Sequence, residues 1–196
     1  SFIVQEMNLS PAQKGFLVAV PVLSAAVFRL NFGFMYQSLD GKKIALAGIL
    51  LSSIPSIYAF LFPNSLDYTT LLLLGVFLGL GGASFAVALP MAGSNYPKEV
   101  QGLVLGLAAA GNIGAVLDGI LFPPLAKVLG WRETMAIAGI LLVITFLVVL
   151  LWAKDKGEKE GNKYYPINVF VITLLFMLFI VPALYNGWLG IKGKEA

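Results

Sequence analysis

The chain has 196 residues, 59% of them hydrophobic and 12% charged, about half the ~25% charge of an ordinary soluble domain. Its net charge of +3, from 13 Lys+Arg against 10 Asp+Glu, is too mild to imply nucleic acid as a partner, and it contains neither Cys nor His. That excludes a disulfide framework, thiolate chemistry and the commonest general base and metal ligand, while a mean hydropathy of +0.89 makes the bilayer the natural solvent.

A helix needs about 20 apolar residues to cross a hydrocarbon core of about 30 Å. Six stretches qualify: residues 15–36, 44–62, 69–92, 100–127, 134–152 and 167–188. The fold class expected is therefore an all-α, polytopic transmembrane helix bundle. Residues 1–14 read as an extramembrane loop with the end of a preceding helix. The chain starts at Ser1 without an initiator Met and stops at Ala196, which reads as a piece of a longer product.

The connectors are short and carry breakers or charge: Asp40-Gly41-Lys42-Lys43, Pro63-Asn64-Ser65, Asn95-Tyr96-Pro97-Lys98-Glu99 and Gly130-Trp131-Arg132-Glu133. Short loops predict antiparallel neighbours. Residues 154–163, a run of Lys, Asp, Glu and Gly, predict a flexible cytoplasmic linker. The expected organisation is a bundle over residues 1–153, the charged linker 154–163, and a further span with its tail over 164–196. Lysines 42, 43, 98, 154, 156, 159 and 163 fall on one side. Lys14, Lys127 and Arg132 fall on the other, joined by Lys192 and Lys194 if the last helix spans. The positive-inside bias puts the first set in the cytoplasm. Trp131 and Trp152 stand at opposite ends of one span, as aromatic-belt residues do.

Glycine, 21 residues in all, concentrates in the third and fourth spans. Gly75/Gly79 and Gly102/Gly106 are small-xxx-small pairs that let helix backbones approach closely. Tight packing is one reading; smooth faces that let helices rock against each other is the other. Pro21, Pro55, Pro90 and Pro123-Pro124 predict kinks or helix ends.

Two charged residues lie deep in spans, Arg29 and Asp118. A charge at mid-membrane costs about 2.5–3.5 kcal/mol on insertion scales, so such residues face a bundle interior or a pathway. The planar, permanently charged guanidinium of Arg29 suits a planar oxyanion; its plain alternatives are bonding to a neighbour's carbonyls or snorkelling. Asn112, between Gly111 and Gly114, needs a partner in the bilayer. It is either helix–helix glue or an amide donor to an anion beside Arg29. Asp118 could pair with a base, carry a proton or reach water. The glycines around Gly79–Gly82 and Gly111–Gly114 sit inside long apolar runs, so a phosphate-loop reading fails on context. No catalytic, metal or cofactor constellation is present in the sequence.

Residues 33–43, Gly-Phe-Met-Tyr-Gln-Ser-Leu-Asp-Gly-Lys-Lys, resemble the major facilitator loop signature G-x-L-x-D-R-x-G-x-R/K, with Gln37 where the signature has Asp. Three longer stretches are similar to the nitrate/nitrite porter family of that superfamily. Residues 21–30, PVLSAAVFRL, resemble its second helix, with Arg29 at the substrate arginine. Residues 79–86, GLGGASFA, resemble its fourth, with Phe85 at the Phe that stacks on the anion. Residues 101–114, QGLVLGLAAAGNIG, resemble its Gly-rich fifth helix, with Asn112 at the substrate-contacting Asn between Gly111 and Gly114. Phe122-Pro123 and Gly130-Trp131-Arg132 fit the same pattern, and the resemblance covers about residues 4–153.

The resemblance implies the N-terminal half of a major facilitator transporter, helices two to six, in a cell inner membrane. It implies nitrate or nitrite as substrate and alternating access around a midplane site. The substrate-binding set would be Arg29, Asn112, Phe85, Gly111 and Gly114. The partners implied are the lipid bilayer and the missing C-terminal half, which carries a second substrate arginine. Residues 164–196 do not match the family's seventh helix well. Competing readings are a carrier for another small anion or organic solute, an integral membrane enzyme, and a non-transporting membrane scaffold.

Overall fold

The computed structural model of the protein describes residues 7–156 and 165–192. These residues form eight helices: α1 (Pro11–Tyr36), α2 (Gly41–Leu61), α3 (Tyr68–Ala83), α4 (Phe85–Ser94), α5 (Gln101–Ala109), α6 (Ile113–Val128), α7 (Trp131–Trp152) and α8 (Tyr165–Lys192). Single 3₁₀ turns at Pro63–Ser65, Lys98–Val100 and Ala110–Asn112 complete the described secondary structure. The fold is an all-α bundle, consistent with part of a transmembrane transporter fold.

Among the described residues, five segments are long and apolar enough to cross a membrane: Pro11–Tyr36, Gly41–Leu61, Tyr68–Ser94, Lys98–Val128 and Trp131–Trp152. They match five of the six expected stretches within a few residues. The sixth falls in α8, where Phe170–Leu184 is a shorter apolar helical stretch. Two segments are not single helices. The third is broken at Ser84, whose hydroxyl donates to Gly81 O at 2.6 Å. The fourth is broken by the 3₁₀ turn at Ala110–Asn112.

Local chemistry sets the helix starts. Ser10 accepts from Gln13 N, while the Gln13 side chain accepts from Ser10 N, closing a capping box one residue before Pro11. Asp40 accepts from Lys42 N at 2.8 Å and Asp67 from Thr70 N at 2.7 Å, opening α2 and α3. The Thr70 hydroxyl and amide, both bonded to Asp67, hold that carboxyl below its ordinary range. Gly130 takes φ 101°, which an L side chain rarely adopts, and a Cβ there would also meet the Glu133 carboxylate. It turns the chain into α7, where the Arg132 guanidinium lies 5.1 Å from the Trp131 ring centre.

The core is a seam between α1 and α3. A Cβ on Gly79 would stand 2.6 Å from Pro21 O and from Ser24; one on Gly82 would stand 3.2 Å from Ala25 Cβ. Ser24 Oγ donates to Val76 O at 2.7 Å across the seam. The backbones therefore approach closely because these glycines carry no side chain, the packing that replaces hydrophobic burial inside lipid. Val20, Phe28, Leu72, Val76 and Leu80 fill the seam. Gly75/Gly79 thus has the close-approach role its spacing suggests. Gly102/Gly106 does not: a Cβ on either meets nothing within 4 Å among the described residues.

Helix α2 packs on α3 and α7, and α8 packs on α1 and α3. Phe170 of α8 contacts Phe28 and Phe32 at ring-centre distances of 5.6 and 5.8 Å. Thr173 Oγ1 donates to Asn31 Oδ1 at 3.2 Å, while Asn31 Nδ2 donates to Val27 O. A buried amide is thereby satisfied from both sides.

The fourth segment is different. No residue of α5, α6 or the 3₁₀ turns beside them is buried. It packs mainly at its two ends, α5 on α4 and α6 on α7.

Candidate functional site

Arg29 lies on the side of α1 that meets the break in the third segment. Its Nε donates to Gly82 O at 3.4 Å, a long bond to a carbonyl two residues before Ser84. The side chain is exposed. Among the described residues, Nε makes its one hydrogen bond, and the terminal Nη groups make none. Phe85, the first residue of α4, follows the break and is partly buried. Since α1 packs on both α3 and α4, the break brings Arg29 and Phe85 onto touching elements.

Asn112 occupies the other break. It ends the 3₁₀ turn that separates α5 from α6. Mid-span departures from α-helical geometry release carbonyls from the i→i−4 ladder and often mark functional positions. Asn112, Gly111 and Gly114 are all exposed. A Cβ on Gly111 or Gly114 meets nothing within 4 Å. Among the described residues, no hydrogen bond joins Asn112 to Arg29, and the fourth segment packs chiefly on α4 and α7 rather than α1. The structure thus ties Arg29 to Gly82, on the helix that precedes Phe85, and leaves Asn112, Gly111 and Gly114 exposed on the fourth segment. Asp118 is exposed on α6.

Two further depressions lie elsewhere. One, about 440 Å³, is an apolar groove between α2 and α7 lined by Ser53, Ser56, Phe60 and Gly139, among others. The other, about 470 Å³, lies where the ends of α4 and α7 meet and includes Asn95, Tyr96, Trp152, Lys154 and Lys156.

Three polar residues that hold the bundle escape a reading for mid-membrane charge. Ser24 and Asn31 are small or neutral, so neither stands out from the apolar run. Asp155 lies in the stretch expected to be a flexible linker, yet its Oδ2 accepts from Gly41 N at 2.7 Å and its Oδ1 from Tyr36 Oη at 3.3 Å. Asn95 Nδ2 donates to Lys154 O at 2.7 Å. Residues 154–156 are therefore pinned under the loops that join α1 to α2 and α4 to α5. The rest of the expected linker, residues 157–163, lies outside the described residues, apart from which residue 164 is likewise undescribed.

Comparison with known proteins bears on what such a bundle is. A protein named "Probable nitrate transporter NarT" from Staphylococcus carnosus (strain TM300) is 29% identical over 158 residues, covering 81% of this chain and 40% of that protein. The protein of the same name from Staphylococcus aureus (strain JH9) is 28% identical over the same length and shares. The chain thus spans about two fifths of the length of these curated relatives. No solved structure matches it. The sequence profile of the Major Facilitator Superfamily matches residues 1–191. The described residues hold five helical segments long and apolar enough to cross a membrane, and the chain, matched by that profile over nearly its whole length, belongs to the Major Facilitator Superfamily.

Proposed function

We propose that this chain is part of a secondary transporter that carries nitrate or nitrite across a bacterial plasma membrane by alternating access. Arg29 is its contribution to the anion site, assisted by Phe85 and, from the fourth segment, by Asn112, Gly111 and Gly114. The function is transport rather than catalysis. The observation that carries the reading is the placement of Arg29. Among the described residues its guanidinium commits only Nε, through a long bond to Gly82 O, and the side chain is exposed, so the Nη edge is free for a ligand. Nitrate is planar and delocalised, and a guanidinium meets such an anion with two parallel N–H···O bonds. The names of the relatives supply the anion.

Asn112 joins this site when the fourth segment is drawn against the break at Ser84, as the remaining part of the transporter, including a C-terminal half, packs around it. Bound anion then neutralises Arg29, which lowers the cost of closing the site away from water. A second reading rests on the same bond: Arg29 braces the break by holding Gly82 O and touches no substrate.

The deciding experiment is nitrate binding by the full transporter, reconstituted in lipid, with Arg29 compared against Arg29→Lys. Lys keeps the charge and loses the fork. Binding weaker by tenfold or more, with normal membrane insertion, supports the anion role. Unchanged binding assigns Arg29 to bracing the helix break and removes it from the site.

A further inference from the structure

The cleft at the ends of α4 and α7 combines features that nothing in the transport reading uses. Its volume is about 470 Å³, and its walls include Met91, Asn95, Tyr96, Trp152, Lys154 and Lys156. Chain geometry explains the lysines. Ala153 is extended (φ −68°, ψ 138°) as the chain leaves α7. Asp155 is drawn to Gly41 N and Tyr36 Oη, and Ala153, Lys154 and Lys156 line the cleft. The backbone that carries them is fixed from two directions, by Asp155 and by the bond from Asn95 Nδ2 to Lys154 O. Two lysines therefore line one cleft from a backbone that is already fixed, so little further backbone entropy is lost when they meet a ligand.

Among the described residues, no carboxylate lines this cleft. The nearest in sequence, Asp155, is committed to Gly41 N and Tyr36 Oη. The rest of the wall is amphipathic. Tyr96 and Trp152 are 54% and 72% exposed, amphipathic rings at the boundary between span and loop, where aromatic side chains sit among head groups. Below them α4 presents Ala88, Met91 and Ala92, a surface suited to an acyl chain. Positive charge above, aromatic rings at the rim and apolar wall below match one ligand chemistry, a phosphodiester attached to hydrocarbon. Basic pockets of this kind on the cytoplasmic side of membrane proteins hold anionic head groups.

We propose that this cleft is a binding site for one anionic phospholipid of the cytoplasmic leaflet, its phosphate held by Lys154 and Lys156 and its acyl chain laid along α4. Lipid binding here holds the end of α7 against the loops at Tyr36–Gly41 and Asn95–Tyr96.

The test is lipid titration of the detergent-purified full transporter, read by native mass spectrometry, with phosphatidylglycerol, phosphatidylcholine and inorganic phosphate as the three probes. Each lysine near an anionic head group contributes roughly fivefold in affinity. Wild type is expected to prefer phosphatidylglycerol over phosphatidylcholine by about tenfold or more. In Lys154→Gln/Lys156→Gln that preference collapses. In Lys42→Gln/Lys43→Gln, which removes the same charge from the same side but outside the cleft, it persists. Equal losses in both double variants would overturn the site, since general surface charge would then explain the preference, as would a wild type without any preference. Displacement of phosphatidylglycerol by equimolar inorganic phosphate would also overturn it, because the cleft would then be a soluble-phosphate site. As a second measurement, brominated phosphatidylglycerol should quench tryptophan fluorescence, with the quenching largely lost in Trp152→Phe.

Discussion

Asp155 Oδ2 accepts the backbone N–H of Gly41 at 2.7 Å across 114 residues of sequence. The first turn of α2 is thus met by two carboxylates, Asp40 on Lys42 N and Asp155 on Gly41 N. Both satisfy donors that a helix start leaves without an intrahelical partner, and both lie at the positive end of its dipole. Gly41 permits this approach. A Cβ there would stand 2.5 Å from the Tyr36 ring and 3.1 Å from Asp155 Oδ2.

Removing this clasp should loosen one end of the bundle without unfolding it. Asp155→Ala is expected to cost about 1 kcal/mol, the usual worth of a lost helix-cap acceptor. Hydrogen exchange at the Gly41 amide should accelerate, while exchange in the α1–α3 seam stays unchanged. Gly41→Ala should give the same local signature, because it displaces Tyr36 and Asp155 together. Unaltered Gly41 exchange in Asp155→Ala would show that the clasp does not form in the membrane.

The glycine seam makes a graded prediction. Gly79→Ala forces a methyl against Pro21 O and Ser24, rigid backbone and a short side chain, and should cost about 1–3 kcal/mol by overpacking. Gly82→Ala meets only Ala25 Cβ at 3.2 Å and should cost less. Gly106→Ala meets nothing within 4 Å among the described residues. Thermal unfolding in detergent should rank Gly79→Ala as the least stable of the three.

Asp67 supplies a pH dependence whose sign follows from its bonds. Its folded-state carboxyl is held below the ordinary value by the Thr70 hydroxyl and amide. A depressed carboxylate contributes stability above its unfolded pKa, about 3.9, and that contribution is lost as pH falls through the lower folded value. Asp67→Asn keeps a cap acceptor and should flatten this acid-side loss. Asp67→Ala should in addition lower stability at neutral pH by about 1 kcal/mol. Unfolding curves at a series of pH values down to the acid side of 3.9 test both.

The bond between Thr173 and Asn31 decides whether α8 packs on α1 in lipid. Thr173→Val, Asn31→Leu and the double variant form a cycle. Interhelical hydrogen bonds in membranes couple by about 0.6 kcal/mol on average, and a coupling of that order is expected here. Zero coupling would place α8 away from α1.

Much of the fold was readable because its carrier was hydropathy. Five of the six apolar stretches return as membrane-crossing segments, with α7 running from Trp131 to Trp152 as the aromatic pair suggested. The breaks were harder. Ser84 and Ala110–Asn112 sit inside apolar runs, and a single hydroxyl back-bond or 3₁₀ turn leaves hydropathy untouched. Arg29 was legible because charge in lipid is costly. Asp155 was not, because the same carboxylate in a charged run carries no such signal, and its partner Gly41 is remote in sequence. Gly75 and Gly102 open the same small-xxx-small spacing, yet among the described residues only the first finds a neighbour. Spacing specifies a smooth face and does not name what lies on it.

The uneven use of glycine has a consequence for the order of assembly. Helices reach the membrane in chain order during synthesis. The α1–α3 seam needs nothing beyond residue 83, so it can close while the rest of the chain is still being made. The fourth segment has α4 as its main earlier partner and gains α7 only afterwards. None of its described residues is buried against either, and until α7 arrives it is the part of the chain most open to membrane chaperones and proteases.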